Sequence, residues 1–373
     1  LFRSHIADGW QEKVIEFSKD LWESMTDPEG IWPMTHNGYL KHFAISKPHL
    51  NYDIILLDEA QDTNPVVEGI VTRQSTHAQI ILVGDSHQQI YTWRGAIDSM
   101  ERIQTTQTYN LTSSFRFGKN IANLANIILQ RYKNEKSRLV GHASEDYVYL
   151  NRKSPFTKMV FEKRPITHTR ICRTSVGLFN DAITTIEKIK KWSARNPNAP
   201  QLKIAFVGTN GSENFSPRRH YDMGLILDIF HLYNSNNNKI RDPYIKSFND
   251  ISELRKIAED PSLNAADLKK ALKLSEAYPK NLEILIKDVE RYSASPSDPN
   301  TWITFTTAHR SKGLEWENIA LSDDFQSLHE DGKSKRLNDI KDEETNLLYV
   351  AITRAKKRIE LNSDLNLLLK VKN

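Results

Sequence analysis

The sequence predicts an α/β chain interrupted by a block of helices. Unbroken apolar runs of four recur along it, at Ile54 to Leu57, Ile80 to Val83 and Ile204 to Val207. Such runs, ended by polar or turn residues, are expected of parallel strands buried on both faces. Helical stretches separate them, the alternation of a sheet covered by helices. Residues 241–292 carry helical patterning and no strand signal, so they enter as an inserted helical subdomain.

Taken in order, Ile6, Trp10, Val14, Phe17, Leu21 and Met25 recur at three-to-four spacing and predict an amphipathic helix ending near Asp27-Pro28. The turn-rich, aromatic loop after it carries His36, and a lone histidine in such a place is more often structural than catalytic. Asn51 to Ala60, NYDIILLDEA, holds the first strand. A helix from about Pro65 to Arg73 leads to the second strand, which ends in Gly84-Asp85. Another helical stretch opens near Ala96. Leu111 to Arg116 precedes a helix from about Asn120 to Tyr132. Residues 134–165 are poorly patterned and are expected to be a crossing between domains. Thr169 to Cys172, Ile204 to Val207, Ile303 to Phe305 and Ile319 to Leu321 are strand candidates. Gly224 to Tyr233 is an apolar helix, Asn234 to Asn238 break the chain, and Leu268, Leu272, Leu282, Ile284 and Leu285 are core candidates of the insert. Ser293 to Asn300 is a turn-rich linker. Asn346 to Thr353 is an apolar segment leading into Arg354. No repeat of solenoid period is present.

Composition narrows the class. The 373 residues suit two or three domains, with 39% hydrophobic and 26% charged content giving enough apolar mass for sizeable cores. A net charge of +4 is compatible with a nucleic-acid partner without requiring one. The single cysteine, Cys172, excludes an internal disulfide framework and a multi-cysteine metal site. No apolar run approaches the ~18 residues of a membrane span, and no signal peptide is visible. The chain starts at Leu1 and passes directly into helix-like sequence, so further sequence is expected upstream.

The chemistry lies where strands end. Asp58 and Glu59 follow the first strand, and ligands of open α/β sheets sit outside the carboxyl ends of their strands. Two adjacent carboxylates there can hold Mg²⁺ against phosphates and handle an attacking water. The plainer alternative is a strand cap running into a helix start. Gly84 to Gly95, GDSHQQIYTWRG, combines Gln88, a group suited to sensing phosphate, with Tyr91, Trp93 and a cation. Aromatics beside an arginine stack single-stranded bases, though they also serve as core. Arg116 and Arg354 end patterned segments, and an arginine can stabilise the charge of a phosphoryl-transfer site; alone, each would pass for a surface group. Lys312-Gly313, with hydroxyls at Thr306, Thr307 and Ser311, suits phosphates of DNA or nucleotide, and Glu315 suits a ribose hydroxyl.

The ordered set LLDEAQD, VGDSHQQIYTWRGA, SFR, TAHRSKGLEW and LLYVAITRAKKR resembles the UvrD/Rep-like superfamily 1 DNA helicases, over about residues 30 to 360. MTHNGYLK, SSFRFG, the small insert and NLLYVAITRAKKR place the likeness nearest to the F-box branch. The residues contain no F-box segment, so ubiquitin-ligase partners are not carried over. The resemblance implies two RecA-like P-loop NTPase domains, the first incomplete, with a small helical inserted subdomain. Residues 1–50 would lead into the first domain at 51–133, residues 134–233 and 301–373 would form the second, and 234–300 the insertion. It implies ATP and Mg²⁺ as cofactors, with Asp58 on the metal, Glu59 as general base and Gln88 sensing the γ-phosphate. Arg116 and Arg354 would be arginine fingers, Gly313 and Glu315 would contact nucleotide, and Tyr349 would pack near it. Tyr91, Trp93, Thr307 and His309 would line a single-stranded DNA track. The implied substrates are single-stranded DNA and duplex junctions, with 3′-to-5′ movement, no membrane, and a nuclear location in a eukaryote or a cytoplasmic one in a bacterium. An RNA-directed helicase is disfavoured by the UvrD-like motif wording.

One expected motif is missing. The phosphate loop GxxxxGK[ST] cradles phosphates with backbone amides and a lysine. Gly332-Lys333-Ser334 is the one GKS triplet, but the position five before Gly332 is Ser327. Gly118-Lys119-Asn120 fails as well. The residues therefore imply either part of an active helicase or a DNA-binding or scaffold module without ATP hydrolysis. A first sheet lacking its phosphate-loop strand is expected to leave an exposed apolar edge.

Overall fold

The computed structural model describes residues 11–92, 95–150, 153–157, 165–207, 223–260, 265–330, 333–335, 340 and 342–370. They fall into two compact units, 1–108 and 109–373. The first holds α1 (Gln11–Thr26), α2 (His36–Ile45), β1 (Ile54–Leu57), α3 (Pro65–Thr72), β2 (Gln79–Leu82) and α4 (Ser99–Arg102). Ile6 and Trp10, expected in the first helix, lie outside the described residues. α3 starts where sequence rules put it: the Asn64 side chain accepts from the Val66 and Val67 amides, and Pro65 occupies the first turn.

β1 and β2 pair in parallel, Ile54 opposite Gln79 through Leu57 opposite Leu82. The buried Gln74 pins the approach to β1, donating to the Pro48 and Ile70 carbonyls and accepting from the Leu50 amide. The expectation that these strands are buried on both faces is corrected. The sheet has two strands, and Ile54, Leu56, Ile81 and Val83 are exposed, Leu56 at 68%. Two strands offer too few neighbours to cover both faces.

The second unit contains β3 (Ser113–Ser114), α5 (Lys119–Tyr132), β4 (Val140–Gly141), β5 (Tyr147–Tyr149), β6 (His168–Cys172), α6 (Ser175–Arg195) and β7 (Lys203–Phe206). A helical block follows: α7 (Met223–Tyr233), α8 (Pro243–Lys246), α9 (Ile251–Glu259), α10 (Ala266–Ala277) and α11 (Leu282–Tyr292). The chain then returns through β8 (Thr301–Thr307), α12 (Ala308–Ser311), β9 (Trp316–Leu321), β10 (His329–Glu330), β11 (Lys333–Ser334), α13 (Asp342–Ile352), β12 (Ala355–Glu360) and α14 (Ser363–Lys370). Six strands form a sheet in the order β5-β12-β9-β6-β8-β7, every neighbouring pair parallel. Here the both-face burial holds: Ile171, Cys172, Ile303, Phe305, Ile319 and Ile359 are inaccessible or nearly so.

The break between the two compact units lies at 108/109. α5 packs on α13, and residues expected to be a crossing supply β4 and the edge strand β5. The Asp146 carboxylate accepts from the Asn120 and Ile121 amides, capping α5 from 25 residues downstream in place of Gly118, which has no side chain for the task. That carboxylate also occupies the helix start at Gly118-Lys119-Asn120. α7 packs on α10 and α11 of the helical block. Its Ile226, Leu254, Leu272 and Ile286 share one buried cluster with Leu178 and Ile189 of α6 and with Ile204, Ile303 and Phe305 of the sheet.

Two outcomes follow for stability. Asp146→Ala leaves two helix-start amides without their acceptor and should cost about 1–3 kcal/mol, read by denaturant unfolding; an unchanged midpoint would contradict the cap. His168 is buried against Phe156 and Trp302, and burial, reinforced by Arg170 and Lys188, lowers its pKa to about 3. The unfolded chain then binds one more proton than the folded one between about pH 6.5 and 3, so stability falls as pH drops through that window. His168→Phe should remove up to about 1.4 kcal/mol per pH unit from that slope, and identical slopes for the two proteins would refute it.

Candidate active site

Part of the set singled out in the sequence comes together, Asp58, Glu59 and Gln88 in the first unit and Arg116, Glu315 and Arg354 in the second. In the first, Asp58 and Glu59 follow β1 directly. Asp58 Oδ1 accepts from the Glu59 amide at 2.8 Å. Glu59 sits in the left-handed region at φ 51°, uncommon for a residue with a Cβ. Its carboxylate accepts from Gln61 Nε2 at 2.6 Å. Gln61 is buried and ties the two strand ends together, because its Oε1 accepts from the Asp85 amide at 3.0 Å. The Ala60 amide donates to the Val83 carbonyl at 3.0 Å. Asp85 starts a short turn, accepting from the His87 amide and from Gln88 Nε2 at 2.8 Å. The structure therefore brings the Asp58-Glu59 pair and Gln88 to one end of one sheet, with Gln61 and Asp85 as connectors. Neither connector was singled out from the sequence, although both lie inside the motifs that were.

The donor set fits a magnesium ion held mainly by phosphate oxygens and water. That ion needs one or two protein carboxylates, and Asp58 Oδ2 accepts no hydrogen bond among the described residues. No group of three or more His, Cys, Asp or Glu side chains poised for a metal occurs among the described residues. Tyr91 is half-buried; Trp93 lies outside the described residues.

In the second unit, residues far apart in sequence converge. Arg116, two residues after β3, donates Nε to Glu315 Oε2 at 2.9 Å and Nη1 to the Thr353 carbonyl at 3.3 Å. Lys356 Nζ lies 2.9 Å from Glu315 Oε1. The Lys356 ammonium and then the Arg116 guanidinium hold the Glu315 carboxyl below the ordinary carboxylate range. Arg354, adjoining this group, is 2% exposed; Nε donates to the Val350 carbonyl and Nη2 to Thr353 Oγ1. Gly313 has φ +80° with open space where a Cβ would stand, so backbone conformation rather than room requires glycine there. Phe115, beside Arg116, is 80% exposed and stacks on His142 with ring centroids 5.4 Å apart. Lys356 and Phe115 were not singled out, one within a basic run and the other within a short motif chosen for its arginine.

The remaining candidates are placed less openly. Tyr349 is buried in α13 and its carbonyl accepts from Thr353 Oγ1. Thr307 is buried and caps α12, accepting from the Arg310 amide. His309 is half-buried, 3.8 Å from a Glu343 carboxylate oxygen. Of the GKS triplet, Gly332 lies outside the described residues, and Lys333 and Ser334 form β11, paired antiparallel with β10.

Comparison with known proteins points to one family of helicases. A UvrD/REP helicase N-terminal domain model matches residues 16–110, and a UvrD-like helicase C-terminal domain model matches residues 201–363. F-box DNA helicase protein 1 of Schizosaccharomyces pombe is 31% identical over 363 residues, 94% of this chain and 39% of that protein. F-box DNA helicase 1 of Gallus gallus is 31% identical over 368 residues, 95% of this chain and 34% of that protein. A probable DNA helicase II homolog of Mycoplasma genitalium is 25% identical over 81% of this chain and 53% of its own length. The chain thus spans well under half the length of the two F-box relatives.

Gly84 offers a check on the link between the strand ends. A Cβ there would lie 2.3 Å from Gln61 Oε1, 2.7 Å from Met100 Sδ and 3.1 Å from the Ala60 amide. Gly84→Ala should therefore cost about 1–3 kcal/mol by overpacking and detach Gln61 from Asp85. Unfolding within about 0.5 kcal/mol of the parent would mean that the link gives way without strain.

Proposed function

The chain belongs to the UvrD-like DNA helicase family, and on that premise we propose that the whole protein is an ATP-dependent 3′-to-5′ DNA helicase or translocase acting in recombination and DNA repair. The observation that carries this reading is the pair Asp58-Glu59 at the carboxyl end of a parallel strand, with Glu59 fixed by Gln61. Bound ATP with Mg²⁺ supplies the bond to be hydrolysed and an electrophilic phosphorus. Asp58 would hold the metal, and Glu59 would accept a proton from the attacking water, its carboxylate kept in place by Gln61 and by the left-handed backbone. Gln88, anchored by Asp85, would report the γ-phosphate. Arg116 and Arg354 would meet the charge that develops on the phosphoryl oxygens. Gly313 and Glu315 would contact the nucleotide, with Tyr349 packed behind. Tyr91 and Trp93 would stack bases of a single strand, with Thr307 and His309 further along the track.

A second reading, a DNA-binding or scaffold module without hydrolysis, is favoured by the lack of a GxxxxGK[ST] loop in these 373 residues. The two separate cleanly. The 373-residue chain by itself should show no DNA-stimulated ATPase. In the whole protein, Glu59→Gln should lower DNA-stimulated turnover about 10²- to 10⁴-fold while ATP still binds. A whole protein with no turnover before mutation would favour the scaffold. Trp93→Ala should weaken single-strand binding by about 1–3 kcal/mol; unchanged affinity would remove the stacking role.

A further inference from the structure

Lys356 stands where β12 departs from regular pairing. Ala355 is opposite Trp316 of β9, and the next paired residue is Arg358, opposite Asn318, so the register shifts across Lys356 and Lys357. Such irregularities re-aim side chains, and here the result is a Lys356 ammonium 2.9 Å from Glu315 Oε1. The carboxylate is thereby divided between two cations, Oε1 to Lys356 and Oε2 to the Arg116 Nε. Arg116 has a second anchor, from Nη1 to the Thr353 carbonyl at 3.3 Å. Two anchors from two elements fix both the position and the plane of a guanidinium. Among the described residues Nη2 makes no hydrogen bond, so the edge carrying its two N–H groups is presented rather than consumed.

We propose that Lys356 is a positioning residue for Arg116, acting through the Glu315 carboxylate. A carboxylate held by Arg116 alone can rotate about its side-chain torsions and carry the guanidinium with it. Lys356 removes that freedom from the far oxygen. The three side chains are 33–42% exposed, so their contribution to stability is small, and geometry is what they supply. The catalytic consequence rests on the reading of Arg116 as a group that meets nucleotide phosphate; the positioning itself does not.

The test has two arms. In this chain, the Arg116 side-chain Nε–H signal, assigned by its loss in Arg116→Lys, is followed by nitrogen NMR. Its hydrogen exchange should speed up several-fold in Lys356→Met and in Lys356→Gln, and return toward the parent rate in Lys356→Arg, with thermal midpoints unmoved. Parent-like exchange in both neutral variants would overturn the proposal. In the whole protein, Lys356→Met should lower kcat about 3- to 10-fold with KM for ATP within about twofold. Added to Glu315→Gln, it should cause no further loss, because its effect passes through that carboxylate. Unchanged kcat, or losses that multiply in the double variant, would overturn the proposed route. Arg116→Ala with undiminished kcat would instead sink the underlying reading of Arg116, whatever the exchange data show.

Discussion

The second unit depends on one ladder, the parallel pairing of β9 with β12. It begins where the Trp316 amide donates to the Arg354 carbonyl at 3.0 Å and continues with Arg358, Ile359 and Glu360 opposite Asn318, Ile319 and Ala320. Ile319, Ala320 and Ile359 are fully buried beneath it, and the apolar helix α13 delivers the chain into β12. This register sets Glu315 beside Lys356 and places the Thr353 carbonyl within reach of Arg116. A slip of one residue would turn every side chain of β12 to the opposite face, moving Ile359 from its place opposite Ile319 and Lys356 away from Glu315. Core and site are therefore specified by the same hydrogen bonds.

The first unit shows the same logic with less material. Its acidic pair is placed by a two-stranded sheet whose apolar residues stay largely exposed. What it lacks in burial it replaces locally with side-chain bonds, Gln74 holding the entry to β1 and Gln61 the exits of β1 and β2. The left-handed Glu59 sits at the point where those bonds converge. Strain of that kind costs of order 1–3 kcal/mol and persists only where the surroundings hold it.

Much of this was legible in the sequence. The four-residue apolar runs located β1, β2 and the edge strand β7, and shorter apolar stretches at Thr169 to Cys172, Ile303 to Phe305 and Ile319 to Leu321 located β6, β8 and β9. The motifs at their ends then named most of the candidate residues. β12 was missed because Lys356, Lys357 and Arg358 mask its two buried anchors, Ala355 and Ile359. β5 was missed because an edge strand of three residues leaves too short a pattern. The cap of α5 was not legible because it comes from Asp146, and a tertiary contact of that span has no local signature. Lys356 escaped notice for a related reason: a register shift aims it, and nothing in a run of basic residues distinguishes the member that is aimed.

The central claim, that these clusters belong to a directional DNA motor, is tested most directly by strand displacement with the whole protein. Duplexes carrying either a 3′ or a 5′ single-stranded tail would be compared in the presence and absence of ATP. The account predicts ATP-dependent unwinding from the 3′ tail alone. Unwinding from the 5′ tail, or ATP-independent displacement of equal extent from both, would contradict it.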